Sequence, residues 1–307
     1  MLKKIAISIG DINGVGIQLV LENHKKISKL CIPIYCIDTK TILKASRKLN
    51  FDIPEDFIID GKYPKTRIHP GKVREDSGEF SYNSFLHAIN LAKNNKVDAI
   101  CTLPINKEAW NKANIHYVGH TDMLRDIFKK NAIMMLGCEK MFVALFTEHI
   151  PLRKIPQKIK LSQLTKFLID FVSSVTIKKD EVIAVLGLNP HAGDNGVLGD
   201  EEKIIRKAIK KASKETNQKF DLLVPDIAFT PHVRKNYKYF CAMYHDQGLI
   251  PLKALYFEES INISLNLPII RTSVDHGTAF DIAYKINNTL SNKSYINAIK
   301  EAITYSK

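Results

Sequence analysis

Short apolar runs alternate with amphipathic segments along this chain, and the alternation restricts the folds available to it. The run Ile5 to Ile9 is typical of a buried strand, and a helix is predicted from about residue 16 to 25. The pattern repeats with a strand at 31–37 and a helix at 41–49. Strands that alternate with helices favour a largely parallel sheet with helices on both faces. The sequence therefore predicts an α/β fold.

The rest of the chain continues the same alternation. Strands are predicted at 97–103, 141–147, 182–188, 239–244 and 261–265, and helices at 81–94, 163–175, from about 199 onward, 280–284 and 295–305. Ser162 is expected to cap the helix at 163–175. Residues 52–80 are rich in proline, glycine and charge, and an irregular excursion with short strands is expected there.

The charge distribution indicates which class of molecule this protein binds. The 307 residues carry 45 Lys and Arg against 32 Asp and Glu, a formal net charge of +13. The lysines are scattered, mostly at predicted helix ends such as Lys129-Lys130, where they complement the helix dipole. A nucleic-acid protein would instead cluster them in arms or stripes. We expect no nucleic-acid partner, and a surface that favours small anionic substrates.

Cysteine usage and hydropathy indicate the compartment. The five cysteines form no Cys-x-x-Cys pair and most fall in apolar runs, which favours reduced, buried thiols. The N-terminal apolar run stops at Gly10-Asp11, so a first strand is expected there rather than a signal peptide. No apolar stretch is long enough to span a bilayer. We expect a cytoplasmic protein with no membrane partner.

A glycine-rich loop, Gly10-Asp11-Ile12-Asn13-Gly14-Val15-Gly16, follows the first predicted strand. Its Gly-x-x-x-Gly-x-Gly spacing does not match the Gly-x-Gly-x-x-Gly dinucleotide fingerprint, and no Gly-Lys-Ser/Thr follows for a P-loop. Two interpretations stay open. The glycines serve a tight turn with close helix packing, or the loop helps to shape an active site.

Three histidines occupy the same kind of position. His149, His191 and His245 each lie where a predicted strand runs into a loop of small and polar residues. Ligands bind at the carboxyl ends of strands in α/β sheets, and neutral imidazole is a common ligand for zinc-like metals. A single histidine of this kind is more often structural. Three in one context predict a shared metal site.

Several segments together resemble the 4-hydroxythreonine-4-phosphate dehydrogenase family of vitamin B6 biosynthesis. The matching stretches are 10–16, 104–107, 119–121, 134–136, 149–152, 187–193, 198–199, 201–202, 225–226, 242–249, Lys253 and 262–279. The block Arg271-Thr272-Ser273-Val274-Asp275-His276-Gly277-Thr278-Ala279 is highly specific. Ile12, Asn13, Asp122 and Asp194-Asn195 depart from the usual pattern of the family.

The resemblance implies a homodimer of two-domain α/β/α subunits, similar to isocitrate and isopropylmalate dehydrogenases. The active site is expected in the interdomain cleft at the dimer interface. Residues 1–113 with 285–307 are expected to form the first domain. Residues 114–284 are expected to form the second, which would carry the metal site and the dimer interface.

The resemblance also implies site residues. A divalent metal (zinc, magnesium or cobalt) would be held by His149, His191 and His245, contributed by both subunits. The substrate-binding residues would be His120, Thr121, Lys253, Asn262 and Arg271. The adenosine-side loop for NAD or NADP would contain His276, Gly277, Thr278, Ala279 and Asp281.

Residue chemistry leaves several of these roles open. Lys253 and Arg271 supply the cations that a phosphate or carboxylate requires. Asp246 is a candidate catalytic residue with Lys253: it would orient a ligand histidine or take a proton, although a helix N-cap is an equal alternative. His120-Thr121 would donate to substrate or cap a turn, and Asn262 would orient substrate or pair with backbone. The general base is not identified.

The resemblance implies NAD(P)-dependent oxidation of 4-phosphohydroxy-L-threonine, a small phosphorylated hydroxy amino acid. The product, 2-amino-3-oxo-4-(phosphooxy)butanoate, is a β-keto acid that decarboxylates to 3-amino-2-oxopropyl phosphate. The main alternative is a related dehydrogenase acting on a threonate or erythronate phosphate. A metal-dependent hydrolase and a non-catalytic metal- or phosphate-binding protein are further alternatives.

Overall fold

The chain packs as two compact units. The structure, a computed structural model, describes residues 1–178, 180–285 and 290–306. Unit 1 consists of Met1–Lys130, Ile261–Ile263 and Leu267–Lys307, and unit 2 of Asn131–Ser260 and Ser264–Asn266.

These bounds differ from the expected domains of 1–113 with 285–307 and 114–284. Residues 114–130 belong to unit 1, because Met123 and Leu124 are buried in a hydrophobic cluster with Phe85 and Trp110. The chain also returns to unit 1 at residue 261, well before 285. Residues 286–289 and 307 of the expected first domain lie outside the described residues.

The elements of the first 130 residues alternate as the sequence predicts. They are β1 (Lys4–Ser8), α1 (Gly16–Ile27), β2 (Ile32–Cys36), α2 (Thr39–Leu49), β3 (Ile58–Ile59), α3 (Glu75–Lys93), β4 (Ala99–Thr102), α4 (Lys107–Lys112) and α5 (His120–Phe128).

The later elements begin with a hairpin and then return to the alternation. They are β5 (Ile133–Cys138), β6 (Met141–Leu145), a 3-10 turn (Leu152–Lys154), α6 (Ile155–Lys158), α7 (Leu161–Ser174), β7 (Val182–Leu186), a tightly turned segment with left-handed backbone (Pro190–Gly196), α8 (Glu201–Thr216), β8 (Lys219–Leu223), α9 (Pro225–Ala228), α10 (Pro231–Arg234), β9 (Tyr239–Ala242), α11 (His245–Tyr256), β10 (Ile261–Leu265), β11 (Arg271–Val274) and α12 (Lys293–Tyr305).

The strand pairings confirm the predicted α/β fold with a mostly parallel sheet. In unit 1 the strand order is β3-β2-β1-β4-β11, and each of these pairs is parallel. In unit 2 the order is β5-β6-β9-β7-β8. There β6, β9, β7 and β8 pair in parallel, whereas β5 and β6 form an antiparallel hairpin. Parallel strands bring their carboxyl ends to one edge, and that edge positions the candidate site.

Two predicted helix starts were wrong. Helix α3 begins at Glu75, within the segment expected to be irregular, and the acidic Glu75 and Asp76 suit the positive end of the helix dipole. Ser162 lies inside α7, whose N-cap is Lys160 with no side-chain cap hydrogen bond. The predicted cap at Ser162 is therefore incorrect.

The predicted helix at 280–284 is also wrong. These residues form turns, and positive φ values occur at the preceding Ala279 (46°) and at the last residue of the segment, Tyr284 (58°). A right-handed helix cannot pass through such residues. The segment is instead a loop, which matters because it carries part of the candidate site.

Cysteine burial agrees with the sequence-based expectation. Cys31, Cys36, Cys101, Cys138 and Cys241 are all free and buried. Burial raises the pKa of Cys31 and of Cys101 to about 12. Among the helices that the structure describes, none has the length and hydropathy needed to cross a membrane.

A buried indole hydrogen bond ties α4 to α3. Trp110 is fully buried, and its Nε1–H donates to the Ser81 hydroxyl at 2.7 Å. The same hydroxyl donates to the carbonyl oxygen of Gly78 at 2.9 Å. Trp110 in turn packs edge-on against the ring of His120, a candidate site residue.

Replacing Ser81 with alanine should lower the free energy of unfolding by about 1–3 kcal/mol, because a buried indole N–H loses its acceptor. Urea unfolding measures the change. Ser173→Ala is the matched control, since that exposed hydroxyl donates only within its own helix, and its effect should stay within about 0.5 kcal/mol. Equal effects of the two substitutions would contradict the role given to Ser81.

Candidate active site

The glycine-rich loop between β1 and α1 makes close backbone contacts with two other segments. The Asp11 N–H donates to the carbonyl oxygen of Pro104 at 2.8 Å, and the Val15 N–H to that of Thr278 at 3.1 Å. A Cβ on Gly10 would lie 2.2 Å from the Pro104 oxygen, and one on Gly14 would lie 2.7 Å from the Thr278 oxygen. Neither position has room for a side chain. The loop is thus a tight turn, and it also joins the segment after β4 to the proposed cofactor loop.

Asn13, which departs from the family pattern, clamps a second turn onto this loop. Its side-chain oxygen accepts from the His69 N–H at 2.7 Å, and its Nδ2 donates to the Lys72 carbonyl at 2.8 Å. The Gly71 N–H donates to the Asn13 carbonyl at 2.9 Å. Sequence reasoning noticed the unusual residue at this position but did not predict the clamp.

Asp11 is a buried carboxylate that sequence reasoning missed. It is fully buried and accepts hydrogen bonds from the Asn13 N–H at 2.9 Å and the Ser77 hydroxyl at 3.1 Å. Burial raises its pKa to about 6, against the opposing effect of these hydrogen bonds. The aspartate within a glycine-rich loop was the available signal, but only the packing reveals its burial.

Stability should depend on pH through Asp11. Its pKa rises from 3.8 to about 6 on folding, so the native state holds this proton more tightly than the unfolded chain. The contribution of Asp11 to the free energy of unfolding therefore falls as the pH rises from about 4 to about 6, and it is constant above that pH. Asp11→Asn removes the ionisable group and with it this pH-dependent loss of stability. Between pH 4 and 7 the free energy of unfolding of the variant should therefore rise by about 2–3 kcal/mol relative to that of the wild type.

Urea unfolding across this pH range tests the Asp11 prediction. Asp52→Asn is the control because the Asp52 side chain is exposed, and its pH profile should follow that of the wild type. A constant difference between Asp11→Asn and wild type at every pH would contradict the assigned burial effect.

Arg271, predicted to bind substrate, is a buried cation at the start of β11. It is 2% exposed. Its Nε and Nη2 donate to the Thr102 hydroxyl at the end of β4, at 3.1 and 2.7 Å. Burial lowers the pKa of the guanidinium to about 10. A buried charge with a depressed pKa would be stabilised by an anionic ligand.

His120 and Thr121 open helix α5, with Gly119 at its N-cap. The His120 ring is edge-on to Phe85 at 4.6 Å and 81°, and Thr121 is buried. Burial, reinforced by the charge of Arg271, keeps the pKa of His120 well below its ordinary value, so the imidazole is neutral. Its Nε2 is buried without a hydrogen-bond partner in the part of the chain that the structure describes. This atom is available to a ligand, and neither residue is the N-cap.

Asn262 also has a polar atom available in unit 1. It lies in β10, and its Oδ1 is buried with no hydrogen-bond partner among residues 1–178, 180–285 and 290–306. The sequence left open whether this amide orients substrate or pairs with backbone. For Oδ1, no backbone partner is found within those ranges.

The loop proposed for the cofactor follows β11. His276 Nδ1 lies 3.0 Å from the Gly277 carbonyl oxygen, and His276 Nε2 is buried without a partner in the described parts of the chain. A Cβ at Gly277 would meet open space. Thr278 is held by the glycine-rich loop, Ala279 adopts a positive φ of 46°, and Asp281 is exposed. A buried His276 Nε2 without a partner among the described residues, next to the open space at Gly277, fits a site for a polar ligand.

Two of the three candidate metal ligands meet in unit 2. The strands β6 and β9 are parallel neighbours, and the Thr147 hydroxyl donates to the Met243 carbonyl at 2.6 Å just beyond their ends. His149 and His245 follow, with ring centroids 5.4 Å apart at an interplanar angle of 44°. This adjacency confirms that the ends of two parallel strands bring these histidines together.

Asp246 orients His245. Its Oδ1 lies 2.6 Å from His245 Nδ1, and because an ionised carboxylate can only accept, Nδ1 donates and the lone pair falls on Nε2. The N-cap of α11 is Tyr244, so the alternative N-cap role of Asp246 is excluded. Lys253 lies further along α11, with its Nζ 5.5 Å from the centre of the Phe257 ring.

His191 is exposed on the loop after β7 and does not join this pair. Among the described side chains, no three His, Cys, Asp or Glu residues approach closely enough to hold a metal ion. Convergence of all three histidines therefore does not occur within one chain. The pair His149 and His245, with Nε2 of His245 directed by Asp246, fits part of a metal site.

Gln247 links the two loops that carry candidate ligands. Its Nε2 donates to the Gly187 carbonyl at the end of β7 at 2.6 Å, and its Oε1 accepts from the Met243 N–H at 2.7 Å. Sequence reasoning missed this residue, although it lies next to Asp246 in a matching segment. It fixes the start of the His191 loop relative to the strand before His245.

The mostly parallel α/β fold, with candidate histidines after the ends of parallel strands, is one that a known dehydrogenase also adopts. A β-decarboxylating dehydrogenase from Thermococcus kodakarensis shares this fold, with a TM-score of 0.52 and 10% identity over 99% of this chain and 83% of that one. The family model described as "Pyridoxal phosphate biosynthetic protein PdxA" matches residues 20–302. The chain belongs to this family.

Relatives at higher identity agree on one activity. A 4-hydroxythreonine-4-phosphate dehydrogenase from Sulfurimonas denitrificans is 60% identical over 98% of this chain and 97% of its own length. The crystal structure of the enzyme of the same name from Klebsiella pneumoniae has a TM-score of 0.83 and 30% identity, and covers 100% of this chain and 98% of that one. These relatives are oxidoreductases of vitamin B6 biosynthesis, and the resemblance found in the sequence is confirmed.

Proposed function

We propose that the chain oxidises 4-phosphohydroxy-L-threonine with NAD or NADP, using a divalent metal. The product, 2-amino-3-oxo-4-(phosphooxy)butanoate, then loses carbon dioxide to give 3-amino-2-oxopropyl phosphate. The full-length similarity to enzymes of this name supports the substrate and the reaction. The observation in the molecule that carries the proposal is the buried Arg271 guanidinium beside a neutral His120.

Arg271 would bind an anionic group of the substrate. The Nε and Nη2 of the guanidinium donate to the Thr102 hydroxyl. The negative charge of the substrate would offset the cost of burying the cation. Neutral His120 would add a hydrogen bond through Nε2 without adding a second positive charge. Thr121 and Asn262 would complete the polar contacts on this side of the substrate.

When bound, NAD(P) would supply the acceptor for the hydride of the substrate carbinol carbon, and a side chain of the protein would take the hydroxyl proton. Asp246 is the candidate to receive that proton. Lys253 is the second candidate catalytic residue, and it would supply a positive charge to the anionic groups of the substrate. Asp246 also holds the tautomer of His245. The 276–281 loop would bind the adenosine side of NAD(P), with His276 Nε2 as a polar contact and Gly277 leaving space for the ligand.

His149 and His245 would hold the metal, together with His191 from a second copy of the chain. This arrangement makes the enzyme a homodimer with shared metal sites, and it is consistent with the absence of a three-ligand group among the described residues of one chain. When bound, a zinc, magnesium or cobalt ion would supply Lewis acidity for the developing negative charge on oxygen. Free, buried cysteines support a reducing compartment such as the cytoplasm.

A spectrophotometric assay tests the activity. Purified protein loaded with Zn²⁺, Mg²⁺ or Co²⁺ should produce NADH or NADPH with 4-phosphohydroxy-L-threonine, because this substrate carries the phosphate, hydroxyl and carboxylate required. Faster turnover of threonate or erythronate 4-phosphate would instead assign the related sugar-acid dehydrogenase. Hydrolysis without cofactor, or binding without turnover, would overturn the dehydrogenase proposal.

Alanine at each of His149, His191 and His245 should abolish metal retention and turnover together while the circular dichroism spectrum is unchanged, because each removes one ligand. His232→Ala is the control, since this exposed histidine lies on the short helix α10. Metal content and NADH production are measured on the same preparations. Unimpaired turnover in any of the three ligand variants would contradict the assignment.

A further inference from the structure

The loop that carries His191 has an unusual backbone. Five consecutive residues from His191 to Asn195 have positive φ values, between 43° and 78°, and only Gly193 among them is a glycine. Non-glycine residues are strained in this region of backbone conformation, so the conformation persists only where surrounding contacts impose it.

A single buried carboxylate provides such contacts. Glu202, in the first turn of α8, is 4% exposed. Its Oε1 accepts from the backbone N–H groups of Leu188 and Asn189 at 2.8 and 2.7 Å. Its Oε2 accepts from Asn189 Nδ2 at 2.9 Å, an amide that also donates to Glu201 at 2.7 Å.

The His191 loop also passes close to both oxygens of the Glu202 carboxylate. A Cβ at Gly193 would lie 2.6 Å from Glu202 Oε2, and one at Gly187 would lie 3.3 Å from Oε1. The loop therefore contacts Glu202 on both sides of His191. Since the start of the loop is bonded to Oε1 and its middle rests on Oε2, the position of the carboxylate sets the position of the His191 backbone.

We propose that Glu202 is the positioning residue for His191, and that its carboxylate holds the β7–α8 loop in the one backbone conformation that presents this imidazole for metal binding. The proposal rests on the proposed function, because it assigns His191 as a metal ligand. Glu202 itself touches neither metal nor substrate in this role.

The ionisation of Glu202 agrees with this arrangement. Burial alone would raise the pKa of the carboxyl, but the hydrogen bonds from Asn189 and Leu188 outweigh burial and hold the pKa below its ordinary value. The group is therefore a carboxylate at neutral pH, able to accept at both oxygens. A glutamine would keep one acceptor and place an NH₂ against the NH₂ of Asn189.

The test uses full-length protein and Co²⁺ alone as the probe. Glu202→Gln should raise the Co²⁺ dissociation constant by about 10–100-fold and alter its visible d–d absorption, as loss of an orienting partner does at metal sites. In the metal-free protein, the Leu188 and Asn189 amides should exchange hydrogen at least about 10-fold faster, consistent with an opening free energy lower by about 1.4 kcal/mol. Amides of β7 should keep wild-type exchange.

Glu215→Gln is the matched control. It removes the same charge from an exposed position in the last turn of α8, and it should change neither the Co²⁺ constant nor the exchange. If Glu202→Gln does not fold, Asn189→Ala serves instead, because it keeps the carboxylate but removes the amide that donates to Glu202 Oε2. It should weaken Co²⁺ binding by a smaller factor.

Wild-type Co²⁺ affinity and spectrum in a folded Glu202 variant, or in Asn189→Ala where Glu202→Gln is unfolded, would overturn the inference. Failure of the wild type itself to bind Co²⁺ would overturn the proposed metal site. Exchange at Leu188 and Asn189 would then still decide whether Glu202 holds the loop. The two failures are thus distinguishable.

Discussion

Two backbone hydrogen bonds made by the glycine-rich loop hold together the parts of unit 1 on which its candidate site depends. One joins Asp11 to Pro104 after β4, and the other joins Val15 to Thr278 in the loop after β11. Both contacts require glycines at 10 and 14, because carbonyl oxygens occupy the space of a Cβ. The loop that lacks a dinucleotide fingerprint therefore still supports the proposed cofactor loop through its backbone.

Burial assigns different charge states to neighbouring groups of the candidate site. Arg271 stays cationic with its pKa near 10, whereas burial and the charge of Arg271 keep His120 neutral. One fixed charge and one neutral hydrogen-bonding ring suit a substrate that carries both an anionic group and a hydroxyl. In unit 2, Asp246 performs a related task for His245 by fixing which ring nitrogen carries the proton.

The sequence predicted what depends on local pattern. Strands such as β10 at 261–265 match their apolar runs, and parallel pairing followed from the alternation with helices. The helix at 280–284 failed because its apolar spacing carries no information on the positive φ of Ala279 and Tyr284. That backbone depends on contacts with the distant glycine-rich loop.

The residues of the candidate site also fall into two groups, those that the sequence could nominate and those that only the packing reveals. Residue types and strand-end positions were enough to nominate His149 and His245, whereas the family resemblance was needed to nominate Arg271. The roles of Asp11, Asn13, Gln247 and Glu202 depend on bonds between segments far apart in sequence, which no periodicity reports. His191 stands apart from the other two histidines among the described residues of one chain, and spacing along the sequence does not report that separation.

The buried thiols offer a way to follow opening of each half of the molecule. Cys31, Cys36 and Cys101 lie in unit 1, and Cys138 and Cys241 lie in unit 2. An alkylating reagent attacks an accessible thiolate, and burial withholds both accessibility and deprotonation in the native state. Modification therefore records excursions away from the native packing. Peptide mapping of the alkylated sites would assign each excursion to one unit or the other without any engineered label.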